Sequence, residues 1–154
     1  MNIYDVFKKL DIKYNEIEHQ PLYTIADTEV IKDKITGQEC KNLFLTNNKG
    51  NYYLVILRDD KRADLKKLQE LLSVSKLSFA SSDKLKEILN LIPGSVTPLS
   101  IIYDTDNKVV LLIDSDLKNK ILLFHPNTNT KTVSIKYNDL IRFIDFEKHK
   151  YMII

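Results

Sequence analysis

The stretch Asn42-Leu43-Phe44-Leu45-Thr46-Asn47-Asn48-Lys49-Gly50-Asn51-Tyr52-Tyr53-Leu54-Val55-Ile56-Leu57 decides the fold. Two apolar, β-rich runs, Asn42–Thr46 and Tyr52–Leu57, enclose polar residues of the kind that turn a chain, which is the pattern of a β-hairpin. A hairpin needs further strands or helices to cover its faces, so the flanking sequence supplies the rest of the architecture.

Upstream, Ile3, Val6, Phe7 and Leu10 recur at i, i+3, i+4, i+7 and predict an opening amphipathic helix. Tyr14 to Glu18 alternates as a short strand before His19-Gln20-Pro21, and Thr28 to Ile35 reads as a short helix closed by Gly37. Downstream, Leu65, Leu68 and Leu72 mark a helix begun near Asp64, and Leu77–Ala80 a short strand. Leu85, Ile88, Leu89 and Ile92 then share one helical face, with Ser81 or Ser82 as N-cap and Pro93-Gly94 as the stop. Strands are expected at Leu99–Tyr103, Val109–Ile113, Ile121–Phe124 and Thr132–Ile135, with turns at Asp104–Lys108 and Pro126–Lys131. A helix over Tyr137–Phe146 closes the pattern. Strands in consecutive pairs with unevenly placed helices predict an α+β fold with a mostly antiparallel or mixed sheet, not a doubly wound one.

Length and composition set limits. A chain of 154 residues fits one domain, residues 1–154, since domains run to about 100–200 residues. The chain is 44% apolar and 29% charged, enough for a core under an ordinary polar surface. No run approaches the roughly 18 apolar residues of a membrane span, and Asp5, Lys8 and Lys9 break the layout of a secretory signal. One cysteine, Cys40, excludes an internal disulfide and fits a reducing compartment, so the cytoplasm is the expected location. A net charge of +2 argues against extensive duplex binding, DNA included, yet allows contact with an RNA end.

Familiar catalytic signatures are absent: there is no Gly-x-Ser-x-Gly, Walker loop, dinucleotide turn or His-Glu-x-x-His. His19, His125 and His149 lack metal-ligand spacing, and Asp104/Asp106 and Asp114/Asp116 read as solvated turns, so neither metal nor cofactor is expected. Cys40 reads as a small buried hydrophobe in preference to a nucleophile. Lys41 fits two roles: a lysine snorkelling at a strand start, or a fixed ammonium serving a phosphate or developing negative charge. His125, followed by Pro126, fits a residue satisfying a backbone carbonyl or one lining a site. Gly94-Ser95-Val96-Thr97-Pro98 reads as a helix stop and loop, although glycine also permits close backbone approach to a ligand. Lys66, Lys67, Lys84 and Lys86 read as solvated helical faces.

Five segments carry a resemblance. They are His19-Gln20-Pro21-Leu22-Tyr23-Thr24, Cys40-Lys41-Asn42-Leu43-Phe44-Leu45, Leu77-Ser78-Phe79-Ala80-Ser81, Gly94-Ser95-Val96-Thr97-Pro98 and Phe124-His125-Pro126-Asn127-Thr128-Asn129-Thr130. In that order, spanning nearly the whole chain, they resemble the YbaK/ProX family of trans-editing aminoacyl-tRNA deacylases, and its ProX (PrdX-like) alanyl-tRNA(Pro) branch most. Similar domains are inserted into bacterial prolyl-tRNA synthetases; a chain without synthetase modules looks like the freestanding version.

The resemblance implies a curled, barrel-like mixed sheet flanked by helices. It implies a cleft between the Lys41 segment, the Gly94–Pro98 loop and the strand ending at His125. Lys41 matches a lysine that contacts the terminal-adenosine phosphate, and Gly94 a glycine whose backbone positions a ribose hydroxyl or water. His125 and Thr24 match residues lining the amino-acid pocket. Asn42, Ser95, Val96 and Pro98 are expected to bind substrate beside them. The partners implied are the aminoacylated end of tRNA(Pro) and, as a docking partner, prolyl-tRNA synthetase, with no membrane or DNA. Cysteinyl-tRNA(Pro) deacylation, or a noncatalytic tRNA- or synthetase-binding module, stand as alternatives.

Overall fold

A computed structural model describes residues 1–22, 29 and 31–154. The hairpin forms as read, from β2 (Gln38–Thr46) and β3 (Tyr52–Arg58), in antiparallel register from Cys40↔Arg58 to Thr46↔Tyr52. Its turn is organised by side chains. The Asn47 amide oxygen accepts from Lys49 N–H (2.9 Å) and Asn51 N–H (3.2 Å), and Asn48 takes a left-handed conformation with φ 62°.

Around it stand β1 (Asn15–Glu18), β4 (Ser78–Phe79), β5 (Val109–Ile113), β6 (Ile121–Phe124), β7 (Lys131–Lys136) and β8 (Tyr151–Ile153). The eight strands make one sheet in the order β1-β7-β6-β2-β3-β5-β8, with β4 added to β2. Parallel pairs β2/β6, β3/β5 and β5/β8 sit among antiparallel ones, so the sheet is mixed. It ends at β1 and β8 without closing. With its flanking helices this is the expected α+β architecture.

Alternation along each strand feeds two cores. Phe44, Leu54, Ile56, Leu111, Leu122 and Phe124 face one cluster; Leu45, Tyr53, Val55, Leu57 and Leu112 face the other. The first is covered by α1 (Ile3–Lys9), α3 (Ser82–Leu89) and α4 (Tyr137–Phe146), the second by Leu68 of α2 (Leu65–Leu72). The caps follow from the sequence. Asn2 and Asp5 form a reciprocal capping box on α1, Asp64 caps α2, and the Ser81 hydroxyl accepts from Lys84 N–H on α3. No helix among the described residues is long and apolar enough to cross a membrane.

Three expectations need correction, and a fourth falls partly outside the described residues. Leu99–Tyr103 is not a strand; Pro98–Tyr103 forms a 3-10 helix, because Pro98 occupies its first turn and the Thr97 hydroxyl accepts from Leu99 N–H (3.3 Å). The helix carrying Leu85, Ile88 and Leu89 stops at Asn90 in a left-handed cap, so Pro93-Gly94 lies beyond it and Ile92 is exposed. Asp104 and Asp114 are buried rather than solvated. Asp104 accepts from the N–H groups of Lys108 and Val109 and holds His149 Nε2 at 2.9 Å. The helix expected over Thr28–Ile35 falls in part outside the described residues; Ile31 to Lys34 form a hydrogen-bonded turn.

Candidate active site

The site arises from a break in strand pairing. β6 runs parallel to β2 only through Gln38↔Leu122 and Glu39↔Leu123, and β4 pairs with β2 only at Leu45 and Thr46. Between them the edge of β2 faces no strand among the described residues. There the chain leaves a cleft of about 510 Å³, within the roughly 300–1,000 Å³ of small-molecule sites. Parallel pairing puts opposite residues on the same face. Glu39 and Leu123 therefore share a face, and one alternation further along Lys41 and His125 continue it across the gap.

Lys41 lies inside β2, not at its start, and is half-buried. Its ammonium donates to the Lys61 carbonyl at 2.7 Å. Among the described residues, that bond uses one of three N–H donors and leaves two for a ligand. On the opposite face of β2, Asn42 donates its side-chain N–H to the Val96 carbonyl (3.2 Å), which ties the Gly94–Pro98 loop to the free edge. Its other amide atom, Oδ1, is buried without a hydrogen-bond partner among the described residues.

His125, immediately after β6, is half-buried and lines the same cleft. Its Nδ1–H donates to the Lys131 carbonyl at 3.0 Å, which leaves Nε2 as the lone-pair nitrogen. Burial, aided by the neighbouring His19 ring 6.2 Å away, holds its pKa below the ordinary imidazole value. A neutral ring is thus the resting form. Both readings of His125 hold together: it satisfies a carbonyl and it lines the site.

The remaining walls were not singled out from sequence. Leu22, Ile31 and Phe124 give an apolar side, and Glu39 and Asp59 an acidic end. Burial and then the Asp59 charge raise the Glu39 carboxyl above its usual range. Among the described residues, Glu39 Oε1 is buried with no partner. No local pattern marks either acid, because they meet only through the return of β3 beside β2. Cys40 also borders the cleft, but burial first and nearby carboxylates second push its thiol up to about 12. It is no nucleophile at neutral pH.

Lys41, Asn42 and His125 are therefore brought together. The loop residues sit differently. Gly94 is exposed with φ +93°, a backbone that a side chain would strain. The Ser95 hydroxyl is spent on the Ile92 carbonyl (2.9 Å). Val96 reaches the site through its carbonyl and Pro98 is buried in the 3-10 helix; none of the four lines the cleft itself. Thr24 lies outside the described residues.

The chain matches the aminoacyl-tRNA editing domain family over residues 19–143. It is 40% identical over 144 residues to the prolyl-tRNA editing protein ProX of Acetoanaerobium sticklandii, covering 90% of this chain and 88% of that one. Against prolyl-tRNA synthetase associated domain-containing protein 1 of Danio rerio it is 31% identical over 153 residues, covering 97% and 83%. A solved structure of a candidate trans-editing enzyme for prolyl tRNA synthetase superposes with a TM-score of 0.72 at 18% identity, covering 97% and 94%, a likeness of fold. The chain belongs to the aminoacyl-tRNA editing domain family. Within it, the likeness to ProX puts this chain on the prolyl-tRNA editing branch.

Proposed function

We propose that this protein acts in trans on tRNA(Pro) mischarged with alanine, hydrolysing the ester to free alanine and a tRNA with an unacylated terminal ribose. The observation that carries this reading is the placement of the held Lys41 ammonium and the neutral His125 ring on either side of the gap between β2 and β6.

An aminoacyl ester is already activated, so the protein's task is to orient it and stabilise charge. Positioning of this kind is worth up to roughly 7–11 kcal/mol. Lys41 anchors the phosphate of the terminal adenosine with its two remaining N–H donors. Asn42 holds the Gly94–Pro98 loop against the edge, where the backbone at Gly94 and Ser95 orients the ribose. Water attacks the ester carbonyl, assisted by the neighbouring ribose hydroxyl, and the proton passes to the departing ribose oxygen. Lys41 serves as an anchor and electrostatic aid, not as a base.

Size selection completes the reading. A synthetase pocket built for proline rejects a smaller amino acid by only about 1–3 kcal/mol per missing methylene. A second pocket that admits alanine and excludes proline supplies the missing discrimination. His125 walls that pocket. The docking partner that produces the substrate is prolyl-tRNA synthetase. The test is deacylation of purified Ala-tRNA(Pro). Release of alanine well above the spontaneous rate supports the reading; binding without release would make the protein a noncatalytic module.

A further inference from the structure

The ammonium of Lys41 is held by a backbone carbonyl, and a carbonyl is only as well placed as its loop. The loop in question leaves β3 at Arg58, the last residue of the strand, and reaches Lys61. It is exposed on its outer side, yet both its ends meet one buried carboxylate. Asp114, whose side chain is 2% exposed, accepts from Arg58 N–H through Oδ2 (2.9 Å) and from the Lys61 ammonium through Oδ1 (2.7 Å). Asp116 adds a second bond to the Lys61 ammonium (2.6 Å), and its own N–H donates to Asp114 Oδ1 (2.9 Å). Asp114 is itself fixed, its N–H donating to the Ile56 carbonyl at 2.9 Å.

We propose that Asp114 is a positioning residue for Lys41: by clasping Arg58 N–H and the Lys61 ammonium, it sets the Lys61 carbonyl that holds the Lys41 ammonium at the cleft. The chain of contacts runs Asp114 to Lys61 to Lys41, from a buried carboxylate to the editing site, with no substrate contact at its inner end. Charge explains why lysine and aspartate stand there. Charge-assisted bonds are shorter and stronger than neutral ones, and a half-exposed loop without them would sample many positions of its carbonyl. This assignment rests on the reading of Lys41 as the substrate anchor, whereas the clasp itself can be tested without turnover.

The first test is competitive acylation of the folded protein with an activated ester, followed site by site by peptide mass spectrometry. In Asp114→Asn and in Lys61→Met, Lys41 should react about tenfold faster relative to Lys13 than in wild type, because an amine freed from its acceptor is the reactive one. Lys61→Arg retains a charge that pairs with Asp114 and should keep Lys41 protected. Thermal unfolding confirms that each variant is folded, and Lys61→Met, a change at a partly exposed side chain, carries the test if Asp114→Asn is not. A Lys41 rate within about twofold of wild type in the folded variants would overturn the clasp.

The second test is a double-mutant cycle on deacylation. Asp114→Asn should lower kcat about tenfold in the wild-type background and change it less than about twofold in the Lys41→Ala background. Equal losses in both backgrounds would show a structural role that bypasses Lys41 and would overturn the positioning assignment. Absence of deacylation in the wild type would remove the proposed reaction, while the labelling result would still decide the clasp.

Discussion

Glu39 on β2 and Leu123 on β6 form the last rung of their parallel ladder, and the cleft opens immediately beyond it. Had the ladder continued with its two-residue period, Lys41 and His125 would stand opposite one another. Instead the strands part, and the two side chains face each other across space sized for a ligand. The candidate site is thus a consequence of where pairing stops.

Lys41→Ala should reduce deacylation by roughly 10²–10³-fold, the scale for losing one preorganised charge-stabilising donor. The fold should persist, since Lys41 is half-buried and its one hydrogen bond among the described residues runs to a loop carbonyl. Single-turnover kinetics beside a thermal melt separate the two effects. A variant with wild-type turnover would remove Lys41 from the site.

The Cys40 thiol should resist iodoacetamide at pH 8, because its pKa is pushed up to about 12. Cys40→Ala should keep most deacylation activity, at a stability cost on the order of 1 kcal/mol for the lost packing of one small side chain. Rapid alkylation with parallel loss of activity would contradict this.

Acid should weaken the fold partly through His125. Its folded pKa lies below the ordinary value of about 6.5. As pH falls through that value the unfolded chain takes up a proton that the folded chain refuses, so stability is lost. His125→Gln should flatten the decline in unfolding free energy between pH 7.5 and pH 5. Parallel wild-type and variant curves would show that burial does not hold the ring neutral.

Glu39 has the opposite sense. Its folded pKa is raised by burial and Asp59, so the folded chain holds a proton that the unfolded chain has released near pH 4.3, about the ordinary value. Stability therefore drops as pH rises from that range through the raised value. Glu39→Gln should melt higher than wild type at pH 7, with the difference shrinking towards pH 4. A variant less stable at pH 7 would mean that the carboxylate has a cationic partner in the fold.

Much of this was legible in the sequence, for identifiable reasons. Helices α1 and α4 announce themselves because each buries one periodic face, the β2–β3 hairpin because two apolar runs flank a polar turn, and Asp64 and Ser81 mark their helices by capping chemistry. Leu99–Tyr103 misleads because an unbroken apolar run fits any buried element, and only the Thr97 cap with Pro98 decides for a 3-10 turn. β8 is hidden because Tyr151–Ile153 is a short, exposed edge. Asp114 looks like an ordinary turn aspartate since Lys61, its partner, lies 53 residues away in sequence. Lys41 and His125 are found by the motifs around them, but their shared face depends on β6 joining β2 in parallel, which no local pattern announces.

The most direct test of the central claim compares kcat/KM for Ala-, Cys- and Pro-tRNA(Pro) with one preparation of the purified protein. A site that sieves by size should favour alanine over proline by at least about 100-fold, near the upper end of what steric discrimination of small apolar groups supplies. Cysteine should fall between them. Equal hydrolysis of all three, or faster hydrolysis of the proline ester, would contradict the account.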